Sequence, residues 1–260
     1  MWHEARVTSR VPTTHPQLPM RITRWCEFRS RRIADLSTWY PRSKSAWHTL
    51  VTHSKKRPVV SLVDMIDLLP PFRRARVDDA AALAALIDRA GEGIPRCVWA
   101  LSADSGQDPF EVGALRAARV EGGFSYLNAV VLEIRDQVAG MVLSYRLDDP
   151  YDTGDLAAVP AFVRPLIELE SEAAGSWYIN AVAVDHKAEG RGYGRNLMDI
   201  AERLGGDDGV SQLSLIVAAN NTRARGLYER LGYVDRSHRR AEPAPGLPDH
   251  GDWVLMVKPL

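Results

Sequence analysis

Asp185-His186-Lys187-Ala188-Glu189-Gly190-Arg191-Gly192-Tyr193-Gly194-Arg195 joins two segments of contrasting pattern. Before it, Trp177 to Val184 is an apolar run suited to a central strand buried on both faces. After it, Leu197, Ile200, Ala201 and Leu204 recur at helical spacing. The order is therefore strand, glycine-rich turn, helix. Glycines at 190, 192 and 194 let main-chain N–H groups turn inward together without Cβ obstruction, and the new helix directs its unpaired amides and positive dipole end at the same point. A diphosphate fits such a site. Each charge-assisted hydrogen bond contributes roughly 1.5 to 3 kcal/mol, so a few amides hold it without a lysine. Alternating glycines alone also suit a turn that binds nothing, so the flanks must decide.

The flanks reject two phosphate-binding alternatives. A P-loop ends in Gly-Lys-Ser/Thr, whereas Gly194 is followed by Arg195 and Asn196. A dinucleotide fold places an acidic residue about 20 positions on at a strand tip. None stands between Leu213 and Asn220. Instead the chain continues with a strand, Ser211 to Ala218, then Asn220 and Asn221 as candidate caps. A helix comes next, with Ala224, Leu227, Tyr228 and Leu231 on one face, closed by Gly232.

With these two segments in this order, the sequence resembles the GNAT superfamily of N-acetyltransferases. The family's acyl-CoA signature, Gln/Arg-x-x-Gly-x-Gly/Ala, falls on Glu189 to Gly194, and its downstream Asn…Ala…Leu-Tyr…Gly-Tyr pattern falls on Asn221 to Tyr233. The resemblance spans about Phe72 to Leu260. It implies an α/β (α+β) fold, with a mixed, mostly antiparallel central sheet flanked by helices. That sheet is splayed between the strands Trp177 to Val184 and Ser211 to Ala218, which receive the CoA pantetheine arm, with backbone pairing at Val182 and Val184. It implies acetyl-CoA as co-substrate, held by Glu189, Gly190, Arg191, Gly192, Tyr193, Gly194 and Arg195 together with Asn221. One departure stands out: Glu189 puts a carboxylate where the family has Gln or Arg, near a diphosphate it would repel. Arg191, Arg195 and Lys187 are the nearby candidates to compensate.

The implied reaction is transfer of an acetyl group directly to an amine, either a small molecule or a peptidyl group. A lysine-like amine is protonated at neutral pH, and freeing its lone pair costs roughly 4 to 5 kcal/mol unless a base or a desolvated pocket helps. At the other end, a phenol can protonate the departing thiolate. Tyr228 is the catalytic candidate, although its pattern alone also fits a core tyrosine. The base is open among Glu168, Glu170, Glu172 and Glu92, with Tyr126 or Asn128 as residues that could orient a relaying water. Seven acids between Asp148 and Glu172 face the single Arg164, and they either steer a cationic acceptor or keep a loop solvated. The alternative function is a catalytically silent acyl-CoA-binding module on the same fold.

Outward from this centre, regular patterning begins at Phe72. A strand to Val77 leads to a helix capped by Asp78 and closed by Gly91. Further helices run over Ile94 to Ala103 and from Asp108-Pro109. Ser125 to Arg135 and Val138 to Leu147 pair as a hairpin, a helix covers Ala161 to Leu169, and two final strands flank a loop, Pro243 to Pro248, able to close over the acceptor. Residues 1 to 57 are different: twelve Arg/Lys stand against Glu4, Glu27 and Asp35, so the net charge of zero over 260 residues is a cancellation. Residues 1 to 64 lack a core pattern and read as a basic extension, favoured here as sequence upstream of a true start at Met65; a targeting peptide or a nucleic-acid-binding arm at Arg21 to Arg32 are the competing readings. The N-acetyltransferase domain is expected over residues 72 to 260.

Composition excludes several classes. Hydrophobic residues at 45% and charged residues at 25% describe an ordinary globular chain. No apolar run reaches the roughly 18 residues of a membrane span. Cys26 and Cys97 match no thiol or zinc spacing, and the seven histidines, including His186, His238 and His250, read as surface residues rather than ligands, so no metal is expected. The expected setting is cytoplasmic, with an amine acceptor as partner and neither membrane nor nucleic acid. Oligomeric state is not legible.

Overall fold

The computed structural model describes residues 67–260, so the expectations for residues 1 to 64 lie outside the described part. Seven strands, β1 (Phe72–Arg74), β2 (Ala129–Ile134), β3 (Gln137–Arg146), β4 (Trp177–Val184), β5 (Gln212–Ala218), β6 (Val234–Arg240) and β7 (Asp252–Pro259), form one sheet in the order β1-β2-β3-β4-β5-β7-β6. Every pairing is antiparallel except β4 with β5. The helices are α1 (Ala80–Ala90), α2 (Ile94–Ala100), α3 (Pro109–Ala117), α4 (Arg164–Ser171), α5 (Tyr193–Asp208) and α6 (Thr222–Arg230). This is the mixed, mostly antiparallel sheet expected.

The helices sort to the two faces by their apolar stripes. Leu197, Met198, Ala201 and Leu204 of α5 pack against Val130, Val142, Trp177, Ile179, Leu213 and Leu215. On the opposite face, Leu83, Ala84 and Ile87 of α1 pack against Val131, Met141, Leu143, Ala181 and Ala183. Leu169 of α4 and the preceding Phe162 cover Tyr178, Leu255 and Val257. At about 25 cal/mol per Å², a buried leucine contributes on the order of 1.5 to 3 kcal/mol, so each stripe outweighs any propensity difference in its helix.

β4 carries a bulge that matters for the site. Against β3 the register runs Leu143↔Ala181 and then Ser144↔Ile179, leaving Asn180 as the extra residue. A one-residue slip exchanges the two faces of a strand. Trp177 and Ile179 accordingly face the α5 layer, whereas Ala181 and Ala183 face the α1 layer. Gly205 brings α5 against the sheet just where β4 and β5 still touch: a Cβ there would lie 2.7 Å from Leu213 and 2.9 Å from Trp177.

Several boundaries differ from expectation, each for a local reason. β1 stops at Arg74, because the Asp79 carboxylate binds the Arg73 guanidinium and accepts from the Arg76 N–H at 2.7 Å, folding the chain into a 3-10 turn before α1. The cap of α1 is thus Asp79, not Asp78. α2 ends at Ala100, short of Ala103. Ser125 to Asn128 is not strand but another 3-10 turn, with the Ser125 hydroxyl accepting from the Leu127 N–H at 3.1 Å. The β2–β3 turn is centred on Arg135 and Asp136, both left-handed at φ 53° and 60°, one residue earlier than the expected Asp136-Gln137. The Asp108 cap of α3 stands as expected, accepting from the Phe110 N–H at 3.0 Å.

Candidate active site

β4 and β5 pair over only Trp177↔Leu213 and Tyr178↔Ser214, then part. The buried Ser176 and Ser214 hydroxyls, 2.6 Å apart, pin the strands together at that apex. Beyond it, Ile179 to Val184 on one side and Leu215 to Ala218 on the other line a cleft of about 740 Å³. From Ile179 onward the edge of β4 that faces β5 has no strand partner among the described residues, and Val182 and Val184, expected to pair with the pantetheine arm, lie on that edge.

The glycine-rich turn stands at the far end of the cleft. Gly190 and Gly192 adopt φ +75° and +82°, and a Cβ on either would meet no atom within 4 Å. Both glycines are left-handed, and the space a side chain there would occupy is open. Gly192 is the cap of α5, whose first intrahelical bond runs from the Asn196 N–H to the Gly192 carbonyl at 3.2 Å. The amides of Tyr193, Gly194 and Arg195 therefore have no acceptor within the helix. Open space, clustered amides and a helix N-terminus suit a diphosphate. Gly190, Gly192, Tyr193, Gly194 and Arg195 all line the cleft, while the exposed Arg191 does not.

Glu189 is not compensated by Arg191, Arg195 or Lys187, as anticipated. Arg89 of α1 binds one carboxylate oxygen at 2.6 Å and Arg223 of α6 binds the other at 2.5 Å, with His186 at 3.3 Å. The Arg223 hydrogen bond, aided by Arg89 and His186, holds the Glu189 carboxyl below its ordinary range. The carboxylate thus serves as a clasp between two helices and is neutralised by partners 100 and 34 positions away.

Tyr228 lies in the cleft wall, 8% exposed and edge-on to Tyr233 at 6.1 Å. Burial, with the nearby Glu92 carboxylate adding to it, pushes its phenol up to about 12. Asn221 caps α6, its Oδ1 accepting from the Ala224 N–H at 3.1 Å, and its Nδ2 donates to Glu92 at 2.8 Å. Glu92 in turn pairs with His250 Nδ1 at 2.9 Å. The reading of His250 as a surface residue is therefore wrong: it is 4% exposed and stacked on Trp253 at 5.1 Å. Among the described residues no His, Cys, Asp and Glu group has a metal-binding arrangement.

Of the candidate bases, Glu92 and Glu170 line the cleft, Glu92 with its carboxylate held by Asn221 and His250. Glu168 and Glu172 turn away to Arg239 of β6, at 3.0 and 2.5 Å. Glu170 lies in the cleft, 5% exposed, accepting from the Tyr151 hydroxyl at 2.5 Å and from Tyr178. Desolvation raises its carboxyl to about 7, against the lowering effect of those two hydrogen bonds. Asn128 is consumed by the Gly122 and Gly123 carbonyls, both at 3.1 Å, and neither it nor Tyr126 lines the cleft. Nor does the Pro243 to Pro248 loop, which packs on α2 through Leu247 against Gly93 and the Pro245 carbonyl near Cys97. Of the acids from Asp148 to Glu172, Glu170 alone lines the cleft; Asp152 and Asp155 accept from the amides of Gly154 and Ala157 in local turns.

The sequence model of the acetyltransferase (GNAT) family matches residues 99–233, just over half of the chain. The chain belongs to the GNAT acetyltransferase family. The GNAT match runs through both the glycine turn and α6. Among solved structures, one described as an acetyltransferase is 19% identical, with 72% of this chain and 98% of that chain covered and a TM-score of 0.51. The polyamine N-acetyltransferase of Drosophila melanogaster is 14% identical over 73% of this chain and 99% of its own, also at 0.51. An agmatine N-acetyltransferase mutant is 16% identical over 73% and 98%, at 0.50. At these identities the likeness is one of GNAT fold. A search of curated protein sequences found no match. Among the described residues no helix is long and apolar enough to cross a membrane.

Proposed function

We propose that this enzyme transfers an acetyl group from acetyl-CoA directly to an amine. The observation that carries the reading is the parting of β4 and β5 after Tyr178↔Ser214, which opens a cleft with the α5 amides at one end and Tyr228 in its wall. Acetyl-CoA supplies the activated acyl group. The amides of Gly190, Gly192, Tyr193, Gly194 and Arg195 hold its diphosphate, and the unpartnered edge of β4 at Val182 and Val184 takes the pantetheine amides as a further strand would. Asn221 contributes by fixing Glu92 and the start of α6, since its side chain is already engaged with both.

Tyr228 stays protonated throughout the neutral range, because its phenol is pushed up to about 12. A phenol that weak does not surrender its proton outright to a thiolate whose acid has a pKa near 8.5. Its role is to donate a hydrogen bond to the leaving sulfur, completing the transfer only as the forming amide nitrogen returns a proton to it. The test is calorimetry with CoA, followed by thiol release from acetyl-CoA over a panel of amines. Micromolar binding with amine-dependent thiol release is expected, and Tyr228→Phe should lower kcat by about 100-fold while binding is kept. Binding without release for any amine would reduce the protein to a silent acyl-CoA module, and absence of binding would end the proposal.

A further inference from the structure

The cleft is lined on its α4 side by one stripe of side chains: Val163, the residue capping the helix, then Leu166, Ile167 and Glu170. Their spacing of three, four and seven places them along one helix face, roughly 10 Å long at 1.5 Å per residue. The stripe is not uniform. Val163, Leu166 and Ile167 are half-buried, whereas Glu170 is 5% exposed. It runs from accessible apolar surface to a single secluded carboxylate. Tyr178, which hydrogen-bonds that carboxylate, belongs to the last residue pair joining β4 to β5, so Glu170 stands at the apex where the cleft begins.

Resting on the acetyltransferase reading, we propose that this α4 stripe is the acceptor site and that the acceptor is a primary amine on an apolar body. Its ammonium meets Glu170, and its hydrocarbon or aryl part lies along Ile167, Leu166 and Val163. A polycation does not suit this lane, because beyond the first nitrogen it would bury further charges against aliphatic side chains with no counter-ion. Glu170 is also the proton acceptor. One proton passes from the ammonium nitrogen to a Glu170 oxygen, which frees the lone pair that forms the C–N bond as the C–S bond breaks. The second proton lost by nitrogen replaces the one Tyr228 gives to sulfur, so the net proton leaves through Glu170 to solvent.

The ionisable surroundings favour this role. Tyr151 and Tyr178 donate to Glu170, Glu168 and Glu172 on its own helix are held by Arg239 of β6, β5 carries no ionisable side chain, and Lys258 of β7 is paired with Glu202. No cation among the described residues neutralises Glu170, and desolvation leaves it near 7, poised to take and release a proton at neutral pH.

The test uses hexylamine and spermidine with the full chain, its Glu170→Gln variant and the surface control Glu168→Gln. Calorimetry of hexylamine in two buffers of different ionisation enthalpy reads proton exchange directly, without acetyl-CoA. Wild type and the Glu168→Gln control should bind hexylamine with pH-dependent proton exchange, and kcat/KM for hexylamine should exceed that for spermidine at least tenfold. The kcat/KM profile should rise with pH to about 7 and then level. Glu170→Gln should lose the proton exchange and the plateau, its rate climbing instead toward the acceptor's own pKa of about 10. Preference for spermidine, or a Glu170→Gln variant that keeps the plateau and the proton exchange, overturns the proposal. Because CoA binding is measured separately, these outcomes are distinct from failure of the acetyltransferase reading. Circular dichroism and the CoA affinity of each variant establish that it is folded.

Discussion

A carboxylate kept in an apolar cleft should weaken the fold that holds it, and Glu170 allows the cost to be calculated. Its carboxyl is raised from 4.5 to about 7 in the folded chain. At 1.36 kcal/mol per unit, full ionisation costs the native state about 3 kcal/mol relative to the unfolded chain. Proton counting sets the sign. Between the two values the folded protein binds more protons than the unfolded one, so stability is full below about pH 4.5 and is lost as pH rises through about 7. Glutamine has nearly the same shape and cannot ionise. Glu170→Gln should therefore gain about 3 kcal/mol at pH 8 and less than about 1 kcal/mol at pH 5, reduced at both by any weakening of the Tyr151 and Tyr178 hydrogen bonds. Urea denaturation of both proteins at the two pH values measures it, the informative quantity being the change in the difference, about 2 to 3 kcal/mol. A difference independent of pH would show that the carboxylate is not desolvated, and the reasoning about this site would fail with it.

Two further substitutions probe the cofactor end. Gly192→Ala meets no neighbour but must hold φ +82°, so it should cost about 1 to 2 kcal/mol of stability in thermal melts and weaken CoA binding more than tenfold by tilting the α5 amides; unchanged affinity would refute the amide cradle. Glu189→Gln releases Arg89 and Arg223 and removes a negative charge beside the proposed diphosphate site. CoA should then bind several-fold more tightly, as read by calorimetry at low salt. Weaker binding would mean that the clasp itself shapes the turn.

The parts of this structure legible in the sequence are those written in neighbouring residues. The apolar run of β4, the glycine alternation at 190, 192 and 194, and the stripes of α5 and α6 each encode their conformation locally. What escaped depends on distant partners. Glu189 looks like a liability until Arg89 and Arg223 arrive from other helices, and His250 looks solvated until Glu92 and Trp253 enclose it. Glu170 is an intermediate case. Residues 168 and 172 are one helical turn apart and share a face, whereas 170 falls on the opposite side with Ile167, Leu166 and Val163. That spacing could have singled it out, but an alternating Glu-x-Glu-x-Glu run also reads as a solvated surface.

The extra residue at Asn180 makes two working surfaces of one strand. Upstream of it, Tyr178 turns to α4 and Glu170; downstream, Ala181 and Ala183 turn to α1, leaving Val182 and Val184 beside α5. With acceptor and carrier placed as proposed, changes that retune which amine is accepted can accumulate on one segment of β4 without disturbing how the other grips its carrier. A lineage of such enzymes could exchange acceptors while its grip on the acyl donor stays constant.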